Sequence, residues 1–569
     1  MNSLASKFPI LRLLVLPFLL LAGCATKPAI DPGRESVFSN YLFAVYASAH
    51  GDQQIATRSY LKVLKEEPGN LRLMAEAFSY FLYVGDYPRA FKVGRELYRV
   101  NPANTPAAML LAVKAFKSGR AGDMDKYLSQ VRGFGFDNLM SPLMKAWIKA
   151  QEGDADGALE ELEALTGYKP FATFYDEHRA LILDYAGRTA EAGASYARQV
   201  ARDEISSLRP VLNYGAFLQI QGRSEEARAL YARFLALLPG NKQLTDALAR
   251  LERGQKPVSI AQNPTKALAM AFLRTGVQVG RERAPAPAII YSRFAIYLDP
   301  SLDQAHIYLG GLMANEVTPS LALAAYSRVD PEGPYGEEAI LRKALVLSSY
   351  DKWEQAIAVI TAHLEQNPES EDALATLGDL YRNREDFEGA LKYYQRAIDL
   401  KGELAIEDWF VLFARGIAYE RLGRWPEAEA DFLKTLEFRP NEPDVLNYLG
   451  YSWIDQGIKL TEGREMIERA AAQRPNNGFI VDSLGWAQYL MGDYQAAAKT
   501  LEKAVTLEPG DPTLNDHLGD AYWKVGRERE ARFQWQHALG LNPAPDQAGK
   551  IAAKIEYGLV LAEALEARK

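Results

Sequence analysis

One thiol, six imidazoles and scattered acidic pairs are the side chains in this sequence that could do covalent, metal or acid–base chemistry. Cys24 is the only cysteine in 569 residues. No disulfide can form within the chain, and a cysteine-built zinc site is excluded. The histidines are His50, His178, His306, His363, His517 and His537. No two of them have the HExxH spacing that sets two imidazoles on one helical face around a zinc ion. There is no Walker phosphate loop and no GxSxG nucleophile elbow. Gly133-Phe134-Gly135-Phe136 is glycine-rich but ends a helical run, so it reads as a turn. Glu160-Glu161 and Glu337-Glu338 read as solvated helix faces. The expectation is a chain without catalytic residues, cofactor or metal.

Charge narrows the partners. The formal net charge is −8, and no run of Lys or Arg follows the first residues. A nucleic-acid binder carries a basic stripe, so that class is disfavoured. At 48% hydrophobic and 24% charged residues the chain is globular rather than disordered. At this length it is too long for one compact core.

The thiol has a telling position. Residues 1–23 carry Lys7 and Arg12, then the run LLVLPFLLLAG. That run is too short to span a bilayer and contains Pro17, so it reads as the apolar region of a secretory signal peptide. It ends Leu21-Ala22-Gly23-Cys24, a tetrad that resembles the lipobox of bacterial lipoproteins. The resemblance implies cleavage after Gly23, a lipid on the Cys24 sulfur and an acylated new amine. Two or three acyl chains make such an anchor effectively permanent, since each buried methylene contributes about 0.8 kcal/mol. Ala25, where an inner-membrane lipoprotein usually has Asp, implies by the same resemblance the periplasmic side of a Gram-negative outer membrane. Residues 24–36, with Pro28, Pro32 and Gly33, read as the lipidated cysteine and its tether.

From residue 37 the chain repeats. Gly51, Gly85, Gly119, Gly153, Gly187 and Gly222 are spaced by 34 residues, the last pair by 35. Five residues after each stands a small residue, Ala56, Ala90, Ala158, Ala192 or Ala227, with Met124 the exception. Pro68, Pro102, Pro170 and Pro239 close units. Each unit is two helices joined by a tight turn, and one hairpin cannot bury its apolar face alone. In Asp482–Pro509, Gly485 and Ala497 are the expected helix-crossing points. Gly492 is the expected left-handed helix end, and Asp493 caps the next helix.

The period and the small, bulky and proline positions resemble the tetratricopeptide repeat. The resemblance implies an all-α solenoid of about fourteen helix-turn-helix repeats. Residues 37–241 form an N-terminal array of six. Residues 242–268 form a connecting helix and a loop, and 269–546 an array of eight. Residues 547–569 read as one capping helix.

Such arrays curve, and the curvature makes a concave face. Positions 2, 5, 9 and 12 of each first helix make one stripe, which in the repeat family lines a partner groove. In the C-terminal array the stripe carries Phe410, Phe413, Asn447, Tyr451, Trp486, Tyr489, Asp520 and Trp523. Aromatics with polar handles dominate interface energies, so these are the candidate partner-binding residues. The Lys and Asn pairs of a carboxylate clamp are absent from positions 5 and 9.

The segments NYLGYSWIDQG and DSLGWAQYL resemble periplasmic lipoprotein adaptors of carboxyl-terminal processing proteases. The implied function is a lipid-anchored scaffold that binds proteins or peptides in its groove and presents cell-wall hydrolases to a protease. Two rivals stand beside it. One is an assembly factor for outer-membrane proteins, pili or exported polysaccharide. The other is an enzyme acting on peptidoglycan or glycans with the repeats as its platform.

Overall fold

The computed structural model describes residues 36–566 except 134–135, 202–207, 258, 283 and 317. Cys24 and its tether, up to residue 35, lie outside the described residues. The described residues are helical, without strands, and form fourteen helical hairpins. The described residues pack as two compact units, divided between Val359 and Ile360.

The first unit opens with α1 (Val37–Ala49), α2 (Gln53–Glu66), α3 (Leu71–Val84) and α4 (Tyr87–Val100). Next come α5 (Thr105–Lys117), α6 (Ala121–Leu128), α7 (Ser141–Gln151) and α8 (Ala155–Glu163). The array closes with α9 (Ala172–Tyr185), α10 (Thr189–Val200), α11 (Arg209–Ile220) and α12 (Ser224–Leu237). The break in the sequence pattern is the single helix α13 (Lys242–Glu252) followed by a loop. Two more hairpins follow: α14 (Pro264–Arg281) with α15 (Pro285–Leu298), and α16 (Asp303–Asn315) with α17 (Pro319–Tyr326). Pro285 and Pro287 lie in the first turn of α15, where a missing N–H is tolerated. Then come α18 (Gly336–Ser349) and α19 (Trp353–Gln366), the helix in which the unit boundary falls.

The second unit continues with α20 (Glu371–Asn383), α21 (Phe387–Lys401), α22 (Trp409–Arg421) and α23 (Trp425–Phe438). After these come α24 (Pro443–Asp455), α25 (Leu460–Gln473), α26 (Gly478–Leu490) and α27 (Tyr494–Leu507). The last hairpin is α28 (Pro512–Lys524) with α29 (Glu528–Gly540), followed by α30 (Pro545–Tyr557) and α31 (Leu559–Glu566).

The repeat Asp482–Pro509 shows how a hairpin closes. Gly492 ends α26 at φ 85°, a backbone state that costs a residue with a Cβ. Asp493 then caps α27, accepting from the Ala496 N–H at 3.2 Å. The helices cross where Gly485 leaves room. A Cβ there would stand 2.6 Å from Leu501 Cγ. The side chain that fills the space at Gly485 is Leu501, and Ala497, one turn before it, is fully buried.

The C-terminal cap is two helices rather than one. Gly558 breaks it at φ 76°, and a Cβ on Gly558 would stand 2.5 Å from the Trp523 ring. The indole leaves no room for a side chain at this turn.

Candidate functional site

The two units use their concave stripes differently. Across the middle of the N-terminal array, in α5, α7 and α9, the stripe is buried, whereas its positions Phe38 and Val45 in α1 and Arg72 and Ser79 in α3 are exposed. Met109 and Val113 of α5, Met140 just before α7, and Leu143 and Trp147 of α7 are all 0% exposed. Ten of the thirteen residues of α5 are buried, so that helix has core on both sides. The cover is the chain itself. Helix α14 packs on α7 and α9, and α15 packs on α3 and α5. Helix α14 suits this place because Ala267 to Leu273 are seven successive buried residues, and a helix apolar all round is a buried helix.

Polar contacts fix the insert. Tyr87 donates to the Arg293 carbonyl at 2.6 Å, and Arg293 Nε donates to the Tyr83 carbonyl at 2.8 Å. Lys117 donates to the Tyr297 carbonyl at 2.5 Å. Glu177, at a stripe position of α9 and 4% exposed, binds two arginines. Arg274 of α14 forms one ion pair with it, and Arg209 of α11 stands 3.4 Å away. Arg274 also lies 4.4 Å from the centre of the Phe174 ring. Burial pulls the Arg209 pKa down while Glu177 holds it up. Next to Glu177, His178 accepts a hydrogen bond from Trp147 Nε1 at 2.9 Å. Burial lowers the His178 pKa to about 4, with Glu177 opposing and the arginines adding to the shift.

In the second unit several stripe residues reach solvent. Phe410 is 48% exposed. Asn447, Tyr451 and Trp486 are half-buried. The Asn447 Oδ1 atom is buried without a hydrogen-bond partner in the chain. Burial, followed by Asp455 and Asp482, raises the Tyr451 pKa. Trp486 is held flat between two rings: Tyr489 at 4.6 Å and 8°, and His517 at 3.9 Å and 15°. His517 Nδ1 lies 3.0 Å from Asp482. Burial opposes a charge on this imidazole, but Asp482, Asp516 and Asp520 outweigh it and the pKa rises.

Phe413, Tyr489 and Asp520 lie under the surface, and Trp523 is half-buried. Phe413 is 6% exposed and packs between Phe432 and Tyr448. Tyr489 is 8% exposed, so it backs Trp486 rather than facing outward. Asp520 is 4% exposed. It accepts from Trp535 Nε1 at 2.9 Å and pairs with Lys554 of α30 at 2.8 Å. Burial pushes the Asp520 pKa up to about 6, against the pull of Lys554. Trp523 lies against Trp535 at 5.5 Å and under Gly558. The terminal helices therefore cover the last part of the stripe.

Sequence reading passed over His517, Asp482 and Asp516. The last two stand at position 5 of their repeats, in register with Asn447, and that register was the available signal. The arrangement offers a rigid aromatic surface backed by the buried acids Asp482, Asp516 and Asp520. Those are the elements for holding a polypeptide segment.

Comparison with known proteins agrees with the repeat architecture. Residues 341–405 and 413–478 match one tetratricopeptide repeat model, and 482–511 match another. The "TPR repeat-containing protein PA4667" of Pseudomonas aeruginosa is 26% identical over 220 residues, 38% of this chain and 36% of that protein. The general transcriptional corepressor ssn6 of Schizosaccharomyces pombe is 27% identical over 183 residues, 32% of this chain and 16% of the corepressor. This chain thus spans about a third or less of the length of these relatives. Among solved structures, a tetratricopeptide repeat protein from Parabacteroides merdae has 17% identity and a TM-score of 0.36. It covers 44% of this chain and 96% of its own. The Cut9–Hcn1 complex gives 14% identity and a TM-score of 0.40, covering 92% of this chain and 96% of its own. The chain carries tetratricopeptide repeats, which generally serve as non-catalytic scaffolds that bind proteins or peptides in a groove.

Proposed function

We propose that this protein is a non-catalytic adaptor that holds a polypeptide segment in the groove of its second unit. Lipid on Cys24 anchors it to the periplasmic face of the outer membrane. The observation that carries the binding half is the contrast between the stripes. The middle of the N-terminal stripe is filled by α14 and α15, while Phe410, Asn447, Tyr451 and Trp486 keep access to solvent in the second unit. The lipobox-like Leu21-Ala22-Gly23-Cys24 supports the anchor. The resemblance of α24 and α26 to adaptors of carboxyl-terminal processing proteases supports presentation of cell-wall hydrolases to such a protease.

Tyr489 is a core residue, so Trp486→Ala and Phe410→Ala are the informative substitutions. Each should weaken capture of a labelled cell-wall hydrolase at least about tenfold with the helical circular dichroism unchanged. Cys24→Ala should move the protein out of the outer-membrane fraction. Unaltered capture by both groove variants, or a Cys24→Ala protein that still sediments with outer membrane, refutes the corresponding half. Incubation with labelled cell wall separates the enzyme alternative: turnover by the protein alone would replace the adaptor reading.

A further inference from the structure

Among the described residues, the first helix of the repeats leaves an apolar face exposed. A stack of repeats needs terminal units with polar outer faces. At the trailing end α30 and α31 bury Ile551 and Leu559 completely, with Tyr557, Val560 and Leu561 left exposed. The leading helix α1 exposes a wider apolar face. Its inner side buries Asn40, Ala44 and Ala47. Its outer side exposes Phe38 (69%), Leu42 (49%), Phe43 (54%), Val45 (40%) and Tyr46 (65%). Phe38, Leu42 and Val45 follow one another at spacings of four and three, one stripe of the helix, and Tyr46 lies beside it. Helix α1 has no charged residue. Large contiguous apolar faces on folded proteins mark contact with a partner or a membrane.

We infer that the outer face of α1 lies in the headgroup region of the phospholipid bilayer, as a second, non-covalent membrane contact. The inference rests on the Cys24 anchor for its geometry. Twelve residues separate Cys24 from Val37. Fully extended they reach at most about 47 Å, so lipidation holds the start of α1 within that distance of the bilayer whatever the tether does. A surface kept that close is at high effective concentration. The composition suits it. Phenylalanine and tyrosine favour the boundary between acyl chains and headgroups, where a ring is buried and a hydroxyl stays wet. The helix is about 20 Å long, short of the roughly 30 Å hydrocarbon core, so it lies on the membrane rather than crossing it. Its other side is occupied by protein, which fixes the apolar side outward.

The test uses residues 25–569, made without leader or lipid, and vesicles of phosphatidylethanolamine and phosphatidylglycerol. The unlipidated chain should float with the vesicles. The triple variant Phe38→Ser, Leu42→Ser, Tyr46→Ser should lose at least about tenfold in binding. All three residues are exposed, so its circular dichroism should match wild type. This stretch has no cysteine, so Val45→Cys carries an environment-sensitive dye at one site. Its emission should shift to the blue when vesicles are added. Absent flotation, equal binding by the triple variant or an unmoved dye overturns the inference. So does a wild-type dimer that the triple variant makes monomeric with vesicle binding unchanged, which would assign the face to a second copy of the chain. Mass spectrometry of the Cys24 peptide tests the anchor separately. A peptide without acyl mass refutes the anchor, and the vesicle result then stands or falls alone.

Discussion

Glu177→Ala tests whether the insert α14–α15 is locked into the N-terminal groove by charge as well as by packing. The carboxylate is 4% exposed and joins Arg274 of the insert to Arg209 of the array. Truncation leaves two guanidinium groups beside an emptied site. Their side chains are only 25% and 15% exposed, so water compensates them poorly. Removing one partner of a buried ion pair costs about 3–5 kcal/mol. Arg274 retains a hydrogen bond to Thr173 Oγ1 at 3.3 Å and the Phe174 ring face, which favours the lower end, about 3 kcal/mol. At about 1.4 kcal/mol per tenfold, protection of the α14 amides should fall roughly hundredfold. Hydrogen exchange read by mass spectrometry measures this directly, and urea unfolding measures the global loss. Glu177→Gln keeps the shape, removes the charge, and should reproduce more than half of the effect. A loss below about 1 kcal/mol with α14 exchange unchanged would refute the argument. Apolar burial alone would then hold the insert, with the ion cluster a passenger.

Three further outcomes are expected. The unfolded chain takes up a proton on His178 near pH 6.5, whereas the folded chain does so only near 4. Stability of the first unit should therefore fall as pH drops across that window, by up to about 3 kcal/mol. Urea midpoints at several pH values should show it, and a flat profile would sink it. His517 has the opposite sign, its contribution being full below the unfolded pKa and lost as pH rises through its raised folded value. Gly485→Ala places a methyl 2.6 Å from Leu501 Cγ, and should cost the second unit about 1–3 kcal/mol by thermal unfolding. Glu385 holds φ 63° where most other repeats have glycine. Glu385→Gly should stabilise the second unit by about 0.5–1 kcal/mol, and destabilisation in a urea titration would contradict that account.

Sequence pattern carries the hairpins because their determinants are local. A glycine ends one helix, an aspartate starts the next, and a small residue lets the two cross, all within 34 residues. Fourteen hairpins are therefore legible from Gly51 to Pro543, as is the helix Lys242–Glu252 in the break. The aromatic stripe was legible only as a register. Which of its members face solvent depended on neighbours far along the chain. Helix α30 brings Lys554 to Asp520, Gly558 comes to rest on Trp523, and His517 arrives from the next repeat to stack on Trp486.

The fate of the N-terminal groove belongs to the tertiary structure. Periodicity marks one buried face per helix, and it names no partner for a second face. The apolar second faces of α5, α7 and α14 are visible in the sequence as residues that a solvent-facing groove does not need. That they cover one another is settled by packing across about 100 to 200 residues of chain, through contacts such as Tyr87 to Arg293 and Glu177 to Arg274. What the sequence alone determined is the repeat and its handful of small residues, because those act within a single turn. What only the fold decided is which grooves are filled and which are open, because filling depends on where the array's curvature carries one segment relative to another.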